Sequence, residues 1–320
     1  MKLGKMIMLL SVMVACSAMT AWALGTGNHE GYVQTFDNGK VNWQSGLVTA
    51  VGIGTPPANA VNIAQARALA RRAAIVVARR NLLEIIKDVQ IDAATTVREY
   101  MAGNDAIRAS VRGYLHNSQI FDVAYMSDGS VEATVGVSLR GGLAQIIMPK
   151  TMPFKTMEPA ASMKVQGPVA QAVMHQDQPA LAEPVPSTQP ASAEPAPGEP
   201  VPAVMAGQKV TGLVVDASGT GARPALSPRI FDEQGSEVYG SAQVSREYAM
   251  QQGMAGYARD IEQARDLPRV TDQPLVVRAL AARGRSMSDL VISTADADKL
   301  RALAEKQNFL EKCRVMIVLQ

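Results

Sequence analysis

Eight prolines fall within 24 consecutive positions: Pro179, Pro184, Pro186, Pro190, Pro195, Pro197, Pro200 and Pro202. Each fixes its own φ and offers no N–H, so prolines this dense exclude helix and sheet ladders and favour extended polyproline geometry. The surrounding segment, residues 152–208, is rich in Pro, Ala, Glu and Gln and poor in large apolar groups. Too little burial is on offer there to offset the entropy of ordering, and a disordered, semi-rigid spacer is expected. A recognition role for the proline run is the competing reading. Residues 31–148 and 209–320 therefore stand as two domains, each long enough to hold an apolar core of its own.

The first 23 residues read as an export signal. Lys2 and Lys5 precede an apolar run from Met6 to Ala15, and small residues follow; basic, apolar, small is the order of a secretory signal. Two processing sites compete. Cleavage before Cys16 would leave an acylated cysteine, with the next residues as a tether. Cleavage after Ala23, whose neighbour Ala21 is also small, would leave the protein unanchored. The apolar run is about ten residues, against the roughly 20 that a spanning helix needs, so no transmembrane span is expected.

Charge and cysteine content narrow the function classes. The net charge of +2 is 31 basic minus 29 acidic residues. Removing Lys2 and Lys5 leaves 29 of each, so the mature chain has no global field for nucleic acid. Export argues the same way. The second cysteine, Cys313, has no intrachain partner once Cys16 is removed or acylated, and its apolar surroundings point to a buried thiol rather than a redox centre.

In the first domain, Val41–Gly54 reads as a strand stopped by Pro56-Pro57. An alanine-rich helix is expected from about Ala60 to Asp88, then a short extended piece to Asp92 and a second helical region over 94–115 broken near Gly103. Ile120–Met126 and Val131–Leu139 flank Ser127-Asp128-Gly129-Ser130, a hairpin signal. Val131, Ala133, Val135, Val137 and Leu139 alternate with smaller or polar residues, so one sheet face should be buried. The second domain suggests a strand at 210–215, a hairpin joining Ile230-Phe231 to Val238-Tyr239, and one helix over 245–265 weakened by Gly253 and Gly256. Strands at 275–280 and 289–292, a helix capped by Ser293 and a closing strand from Cys313 to Leu319 follow. Both domains are expected to be α+β, each a largely antiparallel sheet packed with helices.

The first domain resembles the Lpp-twenty lipoprotein family, whose domain is similar to the N-terminal part of the flagellar H-ring protein FlgT. The resemblance lies in Val48-Thr49-Ala50-Val51-Gly52-Ile53-Gly54, the alanine-rich run from Ala64 to Ala74, Asn81-Leu82-Leu83-Glu84-Ile85-Ile86, and the hairpin from Ser127 to Glu132. It covers roughly residues 40–148. It implies an envelope protein, often anchored at the outer membrane, and it implies no enzymatic mechanism.

Few residues carry chemistry. Gly52-Ile53-Gly54-Thr55-Pro56-Pro57 sits between strand and helix like a phosphate loop, but it lacks the third glycine and any Gly-Lys-Ser/Thr; a turn needing close backbone approach is the better reading. His29, His116 and His175 have no partners at ligand spacing, so neither a metal nor a cofactor is expected. Asp296 and Asp298 lack the rest of a calcium ligand set, and Asp260 and Glu262 do not face each other on a helix. Arg67, Arg71, Arg72, Arg79 and Arg80 place five cations on one helix segment without an acid. They are either a solvated surface or a contact for lipid phosphate or an acidic partner. Tyr248 and Tyr257, with Met250 and Met254, are either core or a binding surface.

The reading that best gathers these features is an exported, non-enzymatic envelope protein in the periplasm, attached to the outer membrane if Cys16 is acylated. Its partners would be an envelope assembly, flagellar basal-body accessories included, and further copies of itself. In this reading the spacer holds the second domain at a distance. The alternative is a ligand-binding or enzymatic second domain, marked by a deep pocket with convergent polar side chains.

Overall fold

A computed structural model describes residues 31–149, 151–155 and 209–320. The expected signal, Cys16, Ala23, His29, His175 and nearly all of the proline-rich segment lie outside the described residues.

The first domain is a five-stranded antiparallel sheet under one long helix. Its strands are β1 (Val33–Phe36), β2 (Gly39–Asn42), β3 (Leu47–Gly54), β4 (Gln119–Tyr125) and β5 (Val131–Ser138), in the order β1-β2-β3-β5-β4. The expected single strand over 41–54 is in fact two strands joined by a turn through Trp43–Gly46, with Gly46 at φ 73°. Helix α1 (Ile63–Asp88) starts at Asn62, whose side chain accepts from the Gln65 N–H. Ala70, Ala74 and Ala78 are fully buried against the sheet. Opposite them, a Cβ on Gly52 would lie 2.2 Å from the Ala78 nitrogen, and one on Gly54 would lie 2.1 Å from the Ala70 carbonyl oxygen. The glycines of the loop-like motif thus let the α1 backbone settle onto β3, the role expected of a close-approach turn. Val131, Ala133, Val135 and Val137 supply the buried stripe of β5.

After α1 come α2 (Val97–Ala102), begun by a Thr96/Glu99 capping box, and α3 (Asp105–His116), begun by Asn104. Gly103 separates them, as the sequence suggests. The hairpin joins β4 to β5, with Gly129 at φ 86° and the Asp128 carboxylate accepting from the Ser130 N–H and hydroxyl. A short helix, α4 (Gly142–Ile147), ends the domain.

The second domain is a seven-stranded sheet in the order β8-β7-β11-β10-β6-β12-β9. Its strands are β6 (Gly212–Asp216), β7 (Ile230–Phe231), β8 (Glu237–Tyr239), β9 (Gly256–Ala258), β10 (Pro274–Arg283), β11 (Asp289–Ile292) and β12 (Val315–Val318). The α+β class holds, but this sheet is mixed rather than largely antiparallel: four of its six pairings are parallel. Parallel strands are covered on both faces and read as unbroken apolar runs. In β6 and β12, Leu213, Val215, Val315 and Ile317 join the main core, while Val214, Met316 and Val318 face helix α6 (Ile261–Asp266). The one helix expected over 245–265 is instead α5 (Arg246–Gln252), β9 and α6. Gly253, at φ 80°, ends α5, and Gly256 admits the Met316 side chain. Ser293 caps α7 (Thr294–Lys306) as expected, through the Asp296 N–H.

The two domains pack against each other, which the sequence did not lead one to expect. One continuous core runs through both. Leu226 and Ser227 donate backbone N–H groups to the Gln90 and Ile91 carbonyls at 3.0 and 2.8 Å, and Ser286 to Ala93 at 3.1 Å. Gly141 donates to Met250 at 2.8 Å, and Lys155 to Val244 at 2.9 Å. Trp43 meets Tyr257 edge-on, ring centroids 5.5 Å apart. A second domain held away by the spacer is not the arrangement seen here.

Candidate functional site

The alanine ridge that seats α1 on the sheet leaves its flank free, and the arginines occupy that flank. Arg67, Arg71 and Arg72, together with Ala64, Ala68 and Tyr125 of β4, line an open groove of about 550 Å³. β4 is the edge strand of its sheet, and Tyr125 is 57 % exposed. The groove is thus floored by small side chains, walled by an aromatic ring and rimmed by guanidinium groups.

Electrostatics sets this surface apart. Arg67 and Arg71 are four residues apart, a spacing at which like charges repel on a helix. The acids of α1, Glu84 and Asp88, lie at its far end and are engaged by Lys87 and Arg98. No acidic residue occupies the first turn of α1. Among the described residues, none of Arg67, Arg71, Arg72 and Arg80 forms an ion pair, while Arg79 donates to the Ser118 hydroxyl at 3.1 Å. Leu69 and Val76 of α1 are exposed as well, so the outer helix surface mixes unpaired cations with apolar groups.

The tyrosines take a different place. Tyr257 is 1 % exposed, and its hydroxyl donates to the Ala225 carbonyl at 2.7 Å and accepts the Ala225 N–H at 2.9 Å. Burial pushes its phenol well above the ordinary range. Of the two readings open for it, core and binding surface, it is a core residue: both its ring and its hydroxyl are spent. Tyr248 is half-buried and packs against the same core. The structure brings Arg67, Arg71 and Arg72 together and keeps both tyrosines away from them. Tyr125, which does join the arginines, carries no sequence signal, because it lies in the hairpin more than fifty positions further on.

Other polar clusters are structural. Asp232 accepts from Arg301 at 2.7 Å and from the Ser236 N–H at 2.8 Å, tying the β7–β8 hairpin to α7. Asp289 pairs with Arg229 at 2.6 Å; burial nonetheless raises its carboxyl above the usual range. Cys313 is buried, its thiol pushed up to about 11 by desolvation. Among the described residues, no group of His, Cys, Asp or Glu is placed to hold a metal ion, and no helix is long and apolar enough to cross a membrane.

Comparison with known proteins reaches the second domain. Residues 212–320, about a third of the chain, match the family model described as Treponema pallidum Tp0624, second domain. The match begins at β6 and includes β12, so it spans the mixed sheet as a unit. No curated protein matches the chain.

Proposed function

We propose that this is an exported, non-enzymatic protein of the bacterial cell envelope that joins a larger assembly by docking an acidic partner on the arginine groove of α1. The observation that carries the proposal is the row of guanidinium groups left without carboxylates on the exposed flank of α1. Unrelieved like charges cost stability, and an acidic partner supplies the missing countercharge and steers the encounter. The exposed Tyr125 in the groove adds aromatic area of the kind enriched at protein interfaces. The signal-like N-terminus supports a periplasmic location, with outer-membrane attachment if Cys16 is acylated. The resemblance of residues 40–148 to the Lpp-twenty family and to the flagellar H-ring protein gives the proposal its specific form, an accessory of an envelope ring or layer.

Charge reversal tests it. In Arg71→Glu/Arg72→Glu both side chains are exposed, so the fold and the thermal midpoint should be almost unchanged. Fractionation of cells should show the wild type in a large envelope complex and the variant released as a free periplasmic species. Equal sedimentation of the two proteins with the envelope would remove the groove from the assembly.

A further inference from the structure

A second pair of uncompensated cations lies where the two domains meet. Arg140 follows β5 in the first domain, and Arg269 follows α6 in the second. Both line a cleft of about 320 Å³, with Gln44 from the first domain and Gln252, Leu267 and Met316 from the second. No Asp or Glu is among the described residues lining it. Arg269 is largely spent: its Nη1 donates to the Cys313 and Gly253 carbonyls at 2.7 and 3.1 Å, and its Nη2 to the Gln252 carbonyl. It thereby clamps the end of α5 to the approach to β12. Arg140 is not spent. Its Nη2 donates to the Gln44 carbonyl at 2.6 Å, while its Nε and Nη1 have no protein acceptor among the described residues.

Both guanidinium groups are half-buried, and a cation partly withdrawn from water gains from a partner that completes its hydrogen bonds. Here two of them face one cleft and no carboxylate answers either. Burial, and then the charge of Arg269, bring Arg140 down to about 10; burial also lowers Arg269. An arginine fork is the side chain best suited to take a planar or tetrahedral oxyanion through parallel N–H bonds. The backbone carbonyls around Arg269 hold that cation in place beside the cleft, and Nη1 of Arg140, next to the second Nη2 hydrogen, offers a fork from the opposite domain.

We infer that the cleft between Arg140 and Arg269 is a binding site for a small oxyanion, a carboxylate or phosphate group, and that its occupancy fastens the two domains together. The inference is independent of the α1 groove, since the site shares no residue with it. The ligand bridges a contact already made by the Trp43–Tyr257 pair and the backbone bonds across the junction, so it acts as a reinforcement.

Linkage gives the test, because a ligand that binds only the folded state raises its midpoint in a saturable way. The mature protein is melted in chloride of fixed ionic strength with graded inorganic phosphate in one arm and succinate in the other. A saturable rise of a few degrees is expected in at least one arm, and the arm that responds identifies the group. In Arg140→Gln the rise should disappear; in Arg140→Lys, which keeps the charge and loses the fork, half-saturation should need about tenfold more anion. Without added anion, Arg140→Gln should melt close to the wild type, since relief of the repulsion by Arg269 offsets loss of the bond to the Gln44 carbonyl. A purely structural arginine would instead lower the midpoint equally with and without anion. The proposal is overturned by a flat wild-type response in both arms, or by the same saturable rise in Arg140→Gln. If Arg140→Gln does not fold, unchanged half-saturation in Arg140→Lys overturns it equally.

Discussion

Gly54 has almost no freedom to become anything else. Its hypothetical Cβ would sit 2.1 Å from the Ala70 carbonyl oxygen and 2.4 Å from the Ala74 nitrogen, both backbone atoms that move only if the whole helix moves. Gly54→Ala should therefore destabilise the protein by at least the ~1–3 kcal/mol typical of overpacking, measured by guanidinium denaturation; a change within experimental error would mean that α1 does not lie this close to β3. Asp232 makes a pH-dependent contribution of known sign. Arg301, followed by the Ser236 N–H, holds its carboxyl below the usual range against the opposing effect of burial. The folded state thus binds that proton less readily than the unfolded chain does. The stabilisation is complete above the ordinary carboxylate pKa of ~4 and drains away as pH falls through the lowered value. Asp232→Asn should cost stability at neutral pH, and the gap to wild type should close in strongly acidic buffer. A gap constant with pH would show that the carboxylate charge contributes nothing.

The elements differ in how far the sequence discloses them. Helix α1 is legible almost to its ends, because no Gly or Pro interrupts a run of strong helix formers and Asn62 is a good cap. The β4–β5 hairpin is legible because Asp128-Gly129 separates two alternating runs. The region 245–265 is misleading for a physical reason. Its residues are acceptable in a helix, and β9 is only three residues long, too short to display a period of two; the break comes from Gly253 in a left-handed conformation and from pairing to β12, a tertiary event. The hairpin of β1 and β2 is hidden in the same way, since its strands are short and half polar. Parallel pairing in the second sheet follows from partners far apart in sequence, which local alternation does not report. The candidate site is half legible: Arg67, Arg71 and Arg72 stand out as a run of charge, whereas Tyr125 and the Arg140–Arg269 pair are assembled only by folding.

At the scale of the whole molecule, composition divides what packing joins. A proline-rich stretch separates two sequence domains, yet Trp43 and Tyr257 share one core and backbone bonds cross the junction. The described body should therefore unfold in guanidinium as a single transition. Trp43→Ala removes a large side chain that is 5 % exposed; it should cost about 3–5 kcal/mol and split the unfolding into two steps as the domains part. Two well-separated steps in the wild type would mean that the domains are energetically independent. For the proposed envelope role, the same packing changes what the protein can do. It presents one packed body, with the arginine groove on one flank and the proposed anion cleft at the seam, rather than two modules reaching for separate layers.

The proposed contact between the arginine flank of α1 and an acidic envelope partner is open to crosslinking from inside the groove. A photoreactive residue placed at Ala68, an exposed floor position, should capture a discrete envelope protein in living cells. The adduct should vanish when Arg71→Glu/Arg72→Glu is introduced alongside it. No adduct from position 68, or an adduct of equal yield with the charges reversed, would contradict the account.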